Sequence, residues 1–182
     1  NPMTAVLGAV IRRRRYIIEE FRISKSSTKE LCELVINRLN DKGYLDSSFS
    51  SIIITGDASG KSGSSKSNLN DYEQIMDAFG KAGIDYMIVV PEANPPVRDT
   101  VNYVNNAFEK DALFISDACT ELIRDLELVA WKQGADGFHI DKSKKDLTHL
   151  SDCLRYFCWN TRLLAEDDEE EGRSEVEYRT RR

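Results

Sequence analysis

The run Ser51-Ile52-Ile53-Ile54-Thr55-Gly56-Asp57 constrains this chain more than any other segment. It is short, continuously apolar and rich in β-branched residues, and it stops at a glycine and a carboxylate. Such a run reads as a strand buried on both faces, which requires cover on both sides of its sheet. The segments around it supply that cover. Ser27-Thr28-Lys29-Glu30 is a capping box, followed by Leu31, Leu34, Val35 and Leu39 at helical spacing and closed by Gly43. Asn70 or Asp71 opens a helix through Phe79, Tyr86 to Val90 is a strand stopped by Pro91, and Pro96 sits in the first turn of a helix carrying Val97, Val101, Val104 and Phe108.

Before these elements, Met3 to Ile11 and Tyr16 to Ile23 read as two strands joined by a tight tip of arginines that lacks an Asn-Gly signal. After them come a short strand from Ala112 to Ser116, a helix from Thr120 to Gln133, and a closing helix from Asp146 to Leu164. Hairpin first, then β-α-β crossovers, predicts an α/β fold with a mixed sheet flanked by helices on both faces. Residues 1–164 are expected to form one domain, and 165–182 are too charged for a core and are expected to be a disordered tail. The chain begins Asn1-Pro2 and is apolar by Val6, so it reads as a piece of a longer polypeptide.

Composition excludes several classes. No apolar run approaches a membrane span, and no signal peptide is visible. Cys32, Cys119, Cys153 and Cys158 form no C-x-x-C pair and read as reduced packing residues, with no ligand spacing for structural zinc. The net charge of −6 argues against nucleic-acid binding by bulk charge. Its distribution matters more: without the six acids of Glu166 to Glu171 the chain is neutral, and its basic residues cluster.

Two acidic positions carry the chemistry. Asp57 stands at the carboxyl end of a strand, where ligands bind in open α/β sheets, beside a glycine-serine loop. Its plainer reading is a turn opener. The segment Gly60-Lys61-Ser62 does not complete a phosphate-loop pattern. On the closing helix, at about 100° per residue, Leu150, Leu154, Phe157 and Cys158 fall within about 80° of Leu147, and His149 and Asp152 fall about 140–200° away. These two neighbours at i and i+3 suit joint metal binding; the plainer reading is a solvated polar face. Asp117, after Leu113-Phe114-Ile115, is a weaker rival to Asp57, and His139 reads as structural or exposed. Glu19 and Glu20 are strand-end carboxylates that either serve the same metals or lie at an edge.

Six segments in order carry a resemblance. They are Asn1-Pro2-Met3-Thr4-Ala5, Tyr16-Ile17-Ile18-Glu19-Glu20, Gly56-Asp57-Ala58-Ser59-Gly60, Asn94-Pro95-Pro96-Val97-Arg98-Asp99, Leu122-Ile123-Arg124-Asp125-Leu126-Glu127 and Leu147-Thr148-His149-Leu150-Ser151-Asp152. Together they resemble the C-terminal nuclease domain of tailed-phage large terminase subunits, over residues 1 to about 160. The resemblance implies an RNase H-like fold and metal-dependent cleavage of concatemeric double-stranded DNA, with two Mg²⁺ or Mn²⁺ ions. It implies Asp57 and Asp152 as catalytic metal ligands, with His149 beside them completing a metal shell or shuttling a proton. It further implies an ATPase motor domain, a portal and a small terminase subunit as partners, no membrane, and a bacterial host cytoplasm. The family's first acid lies on a strand before the Asn-Pro motif, so the first strand is expected to be truncated here and the isolated fragment impaired. Arg12, Arg13, Arg14, Arg15, Lys61, Lys66, Lys142, Lys144 and Lys145 are the candidates for holding the DNA backbone. Two other readings stand beside this one: another RNase H-like nuclease related to resolvases or transposases, and a non-catalytic interaction domain of a packaging complex.

Overall fold

The computed structural model describes residues 2–45, 52–62, 69–134, 137–141, 143–144 and 147–165. The expected tail beyond Ala165, and Lys66, Lys142 and Lys145, lie outside the described residues. Strands β1 (Met3–Ile11) and β2 (Arg14–Ile23) form the antiparallel hairpin. Only two of the four arginines make its turn. Arg12 and Arg13 take φ of 47° and 70°, the positive values that a two-residue primed turn requires and that usually call for Asn-Gly. Halfway along, the register shifts between Leu7 and Gly8. A Cβ on Gly8 would stand 2.7 Å from the Tyr16 carbonyl oxygen and 3.0 Å from Phe157 Cζ. Glycine is needed there because a helix and the partner strand both press on the bulge.

Helix α1 (Thr28–Asp41) carries the expected capping box between Ser27 and Glu30. A second box, Asn70 with Glu73, opens α2 (Asp71–Lys81) between the parallel strands β3 (Ile52–Thr55) and β4 (Tyr86–Val89). Helix α3 (Val97–Glu109) leads to β5 (Leu113–Ile115), which pairs parallel to β2.

Two expected helices are shorter than their patterns. Helix α4 (Thr120–Leu128) ends where Val129 turns extended, at φ −70° and ψ 125°. Residues 131–133, expected to be helical, instead begin a hairpin of β6 (Trp131–Gly134) and β7 (Gly137–Ile140). The β-branched Val129 and aromatic Trp131 favour that extended course, and Gly134 lies beside its turn. Helix α5 (His149–Asn160) starts after Thr148, whose left-handed φ of 81° breaks the helix that was expected from Asp146. It stops before a 3-10 turn at Leu163–Ala165.

The expected single mixed sheet is instead three among the described residues, ordered β1-β2-β5, β3-β4 and β6-β7. Helices still cover both faces of β1. Val6 packs with the core of Ile17, Val104, Leu113, Leu122, Leu150 and Leu154 from the α3, α4 and α5 side. Leu7, one residue on, packs with Cys32, Leu39, Phe79, Ile52 and Ile54 from the α1 and α2 side. This is the period-two alternation of a strand. The four cysteines are free thiols, with Cys32, Cys119 and Cys158 buried.

Left-handed backbone costs a non-glycine residue roughly 1–2 kcal/mol. Replacing the turn with Arg12→Asn and Arg13→Gly is therefore expected to stabilise the protein by roughly 1–2 kcal/mol, read as a higher urea midpoint at unchanged m-value. An unchanged or lower midpoint would contradict the strained-turn account.

Candidate active site

Helix α5 is placed by a carboxylate from another helix. Its N-cap, Thr148, makes no side-chain cap. Instead Leu150 N and Ser151 N donate to Asp125 Oδ2 at 3.1 and 3.4 Å. Asp125 comes from α4 and is 1% exposed. Burial pushes its pKa up, while the two amides, Arg22 and His149 act in the other direction. The same device sets α4: Glu121 N and Leu122 N donate to the Glu20 carboxylate at 3.0 and 2.7 Å. So β2 holds the start of α4, and α4 holds the start of α5. The orphan amides of two helices are satisfied across the tertiary fold rather than locally.

Strand β3 delivers Asp57 to its carboxyl end. Tyr72 of α2 donates to the Asp57 carbonyl at 2.7 Å, and its ring fills the space that side chains at Gly56 and Gly60 would need. The Asp57 carboxylate opens a 3-10 turn at Ala58–Lys61, where Oδ1 accepts from Ser59 Oγ at 2.6 Å and Gly60 N at 3.1 Å. Ala58 N donates to Asn94 Oδ1 at 2.7 Å, which ties this turn to the Asn-Pro-Pro loop.

One stripe of α5 faces this end. Asp152, Tyr156 and Asn160 are spaced i, i+4, i+8, one above another. Asn160 Nδ2 donates to Thr55 Oγ1 at 2.6 Å and to the Gly56 carbonyl at 3.0 Å. Asp57 and Asp152 both act on two side chains of α5. Burial first, then both carboxylates, raise the pKa of the Tyr156 hydroxyl. Burial, Asp152, Asp57 and Asp125 push the Cys153 thiol up to about 11. Asp152 Oδ1 also accepts from Arg155 Nη2 at 2.5 Å, and Arg155 Nη1 donates to Thr100 Oγ1 at 2.6 Å. Arg155 is buried, and its Nε has no protein partner among the described residues. At the other edge, Thr4 Oγ1 donates to the His149 carbonyl at 3.5 Å and lies 3.3 Å from Cys153 Sγ.

Asp57 and Asp152 both raise the pKa of the Tyr156 hydroxyl and of the Cys153 thiol, and His149 lies one turn before Asp152 at the start of the helix. Among the described residues no group of three His, Cys, Asp or Glu converges as a metal cage. Glu19 and Glu20 are engaged elsewhere: Glu19 lies 3.4 Å from Arg38 and accepts from Tyr44, and Glu20 caps α4. Asp117 is exposed in the turn after β5. His139 is exposed opposite Lys132 in the β6–β7 hairpin, lining a cleft of about 380 Å³ that includes neither Asp57 nor Asp152.

Among the basic candidates, Arg12, Arg13, Arg14 and Lys144 are exposed. Arg15 is a correction: the strand's alternation turns it inward, 2% exposed, where it donates to Tyr103 Oη at 2.7 Å and Thr161 Oγ1 at 3.3 Å. Lys61 is exposed, but its Nζ holds the carbonyls of Val90 and Pro91 at 3.4 and 2.9 Å. Sequence reasoning missed the roles of Asp125 and Arg155. For Asp125 the cue was an acid in line with Leu122, Leu126 and Val129 on the apolar stripe of a helix.

No protein-family model matches the chain, and no curated protein matches it in sequence. Solved structures do. A large terminase from a thermophilic bacteriophage, in complex with ATP-γ-S, superposes with a TM-score of 0.60 at 19% identity, over 87% of this chain and 36% of that one. The fold is shared with phage large terminases. The large terminase nuclease of thermophilic phage G20c with bound magnesium aligns at TM-score 0.51 and 9% identity, covering 85% of this chain and 79% of that one. The same nuclease with bound cobalt gives 0.50 and 9%, over 88% and 80%. The chain spans about a third of the ATP-γ-S-bound large terminase and about four-fifths of the G20c nuclease. Among the described residues of this terminase-like fold, no helix is long and apolar enough to cross a membrane.

Removing the Asp125 carboxylate leaves two amides of α5 unsatisfied in the core. Asp125→Ala is expected to lower stability by about 1–3 kcal/mol, with Asp125→Asn costing less because its amide oxygen still accepts. Equal losses for the two variants in urea unfolding would contradict the capping role.

Proposed function

We propose that the chain is the metal-dependent DNA endonuclease domain of a viral packaging terminase, built on an RNase H-like fold. The observation that supports this reading is that Asp57, at a strand end held by Tyr72 and next to the Gly56 carbonyl that Asn160 of the closing helix reaches, and Asp152, on that same helix, both act electrostatically on Tyr156 and Cys153. Likeness to the large terminase nuclease of G20c, crystallised with magnesium and with cobalt, supports it.

The donors are two carboxylates and an imidazole. Hard oxygen ligands suit Mg²⁺ or Mn²⁺, which keep several waters and take one or two carboxylates together with substrate phosphate. Asp57 and Asp152 would hold such ions, and His149 would complete a shell or carry a proton at its imidazole. Bound divalent ions supply an acidified water and positive charge at a leaving 3′ oxygen in two-metal hydrolysis. The protein's own part is positional. Asn160 and Tyr72 fix the backbone at residues 55–57, Asp125 fixes the first turn of α5, and Arg155 orients Asp152. Arg12, Arg13, Arg14 and Lys144 would take the phosphate backbone of double-stranded DNA. Lys66, Lys142 and Lys145 join that proposal from the sequence alone. An ATPase motor, a portal and a small subunit, in a host cytoplasm, are the setting this reading implies.

The same reading expects a weak nuclease, because among the described residues no third ligand converges with the two carboxylates, and two alone hold a divalent ion poorly. A second reading, a non-catalytic interaction domain, draws support from the partners both acids already have: Ser59 and Gly60 on Asp57, and Arg155 on Asp152.

Mn²⁺ titration by calorimetry, paired with nicking of supercoiled plasmid, separates the two. The nuclease reading expects weak Mn²⁺ binding, slow Mn²⁺-dependent nicking, and a loss of about 100-fold or more in nicking for Asp57→Asn and for Asp152→Asn. Nicking that survives both substitutions, or no Mn²⁺ binding at all, would favour the interaction domain.

A further inference from the structure

The end of α5 is pinned to the base of the arginine hairpin. Arg15 Nε donates to Thr161 Oγ1 at 3.3 Å and Arg15 Nη2 to the Thr161 carbonyl at 3.5 Å. The 3-10 turn Leu163–Ala165 that follows packs against β1. The next six residues are Glu166, Asp167, Asp168, Glu169, Glu170 and Glu171. The longest acidic run in the chain therefore follows, in sequence, a segment anchored at the base of its densest basic cluster.

The tip is built to receive an anion. Arg12, Arg13 and Arg14 are exposed, and none of the ion pairs among the described residues uses Arg12 or Arg14. Arg14 lies over the Phe114 ring at 5.8 Å, and Phe114 stacks on Tyr16 with centroids 5.2 Å apart. The ring pair stands under one of the three cations. From Arg15, where Thr161 is held, Arg12 lies three residues back across Arg14 and the turn, at most about 10 Å away. Six extended residues span about 20 Å, so the acidic run reaches the tip with slack. A tether this short gives an effective concentration in the millimolar range, so even a weak charge contact is populated.

We propose that the acidic run Glu166 to Glu171 docks on the Arg12–Arg14 tip of its own chain and covers the surface that would otherwise take DNA phosphates. The docking rests on the geometry and charge of this chain, and the covering of a DNA surface rests on the nuclease reading above.

The test uses the full chain with the six acids neutralised as Glu→Gln and Asp→Asn. A fluorescent peptide of residues 166–172 is expected to bind it in low salt. The added substitutions Arg12→Gln, Arg13→Gln and Arg14→Gln should weaken that binding about tenfold or more, and Lys at all three positions should retain it. No peptide binding, or equal binding to the Gln tip, overturns the docking. With a labelled DNA duplex, neutralising the tail is expected to tighten binding about tenfold on the native tip and less than about threefold on the Gln tip. An equal gain on both tips means general repulsion and overturns the proposal. A chain that binds the peptide and no duplex keeps the docking and removes the DNA reading.

Discussion

The buried carboxylate of Asp125 is the contact on which the rest of the site depends. A helix start leaves amides without partners, and α5 begins at a left-handed Thr148 that offers no cap. Asp125 supplies the missing acceptor from α4. Glu20 does the same for α4 from β2. The hairpin, the fourth helix and the fifth are therefore registered by two carboxylates. The orientation of α5 in turn brings Asn160 to the end of β3 and Tyr156 under the influence of Asp57. A carboxylate in such a place stands against the cost of burial, which raises its pKa. It is retained because the alternative is a helix end with unsatisfied donors in the core.

The acids at the site are held before any ligand arrives. Asp57 is fastened by Ser59 and Gly60, and Asp152 by a buried Arg155 that also reaches Thr100. Such contacts cut both ways. They fix the orientation of each carboxylate, and they compete for oxygen atoms that a divalent ion would take. Arg155 adds a positive charge beside that position, which weakens cation binding until further negative charge is present. A substrate phosphate supplies charge of that sign.

What was legible in the sequence was local. The Ser27 capping box, the β3 run ending at Asp57 and the off-stripe position of His149 and Asp152 depend on neighbours a few residues away, and the structure forms each of them, although β3 is half-buried rather than buried on both faces. The split between β1-β2-β5 and β3-β4 was not legible, because strand pairing is non-local and the same apolar runs suit one sheet or two. The β6–β7 hairpin was hidden because the apolar spacing of α4 carries on through Val129 and Ala130 into Trp131. Arg15 was separable from Arg14 in principle: in a strand where Ile17 faces the core, Arg15 shares its face. The role of Asp125 was missed for the opposite reason. An acid on an apolar helical stripe is the visible signal, but its partner is 25 residues away.

The account's central claim is that Asp57 and Asp152 share an ion. The most direct measurement is anomalous diffraction from crystals soaked in Mn²⁺. The account predicts a peak about 2 Å from a carboxylate oxygen of each residue, with Asp152 drawn off Arg155 or shared with it. Mn²⁺ peaks that touch only one of the two acids, or none beside them while Asp152 stays on Arg155, would contradict it.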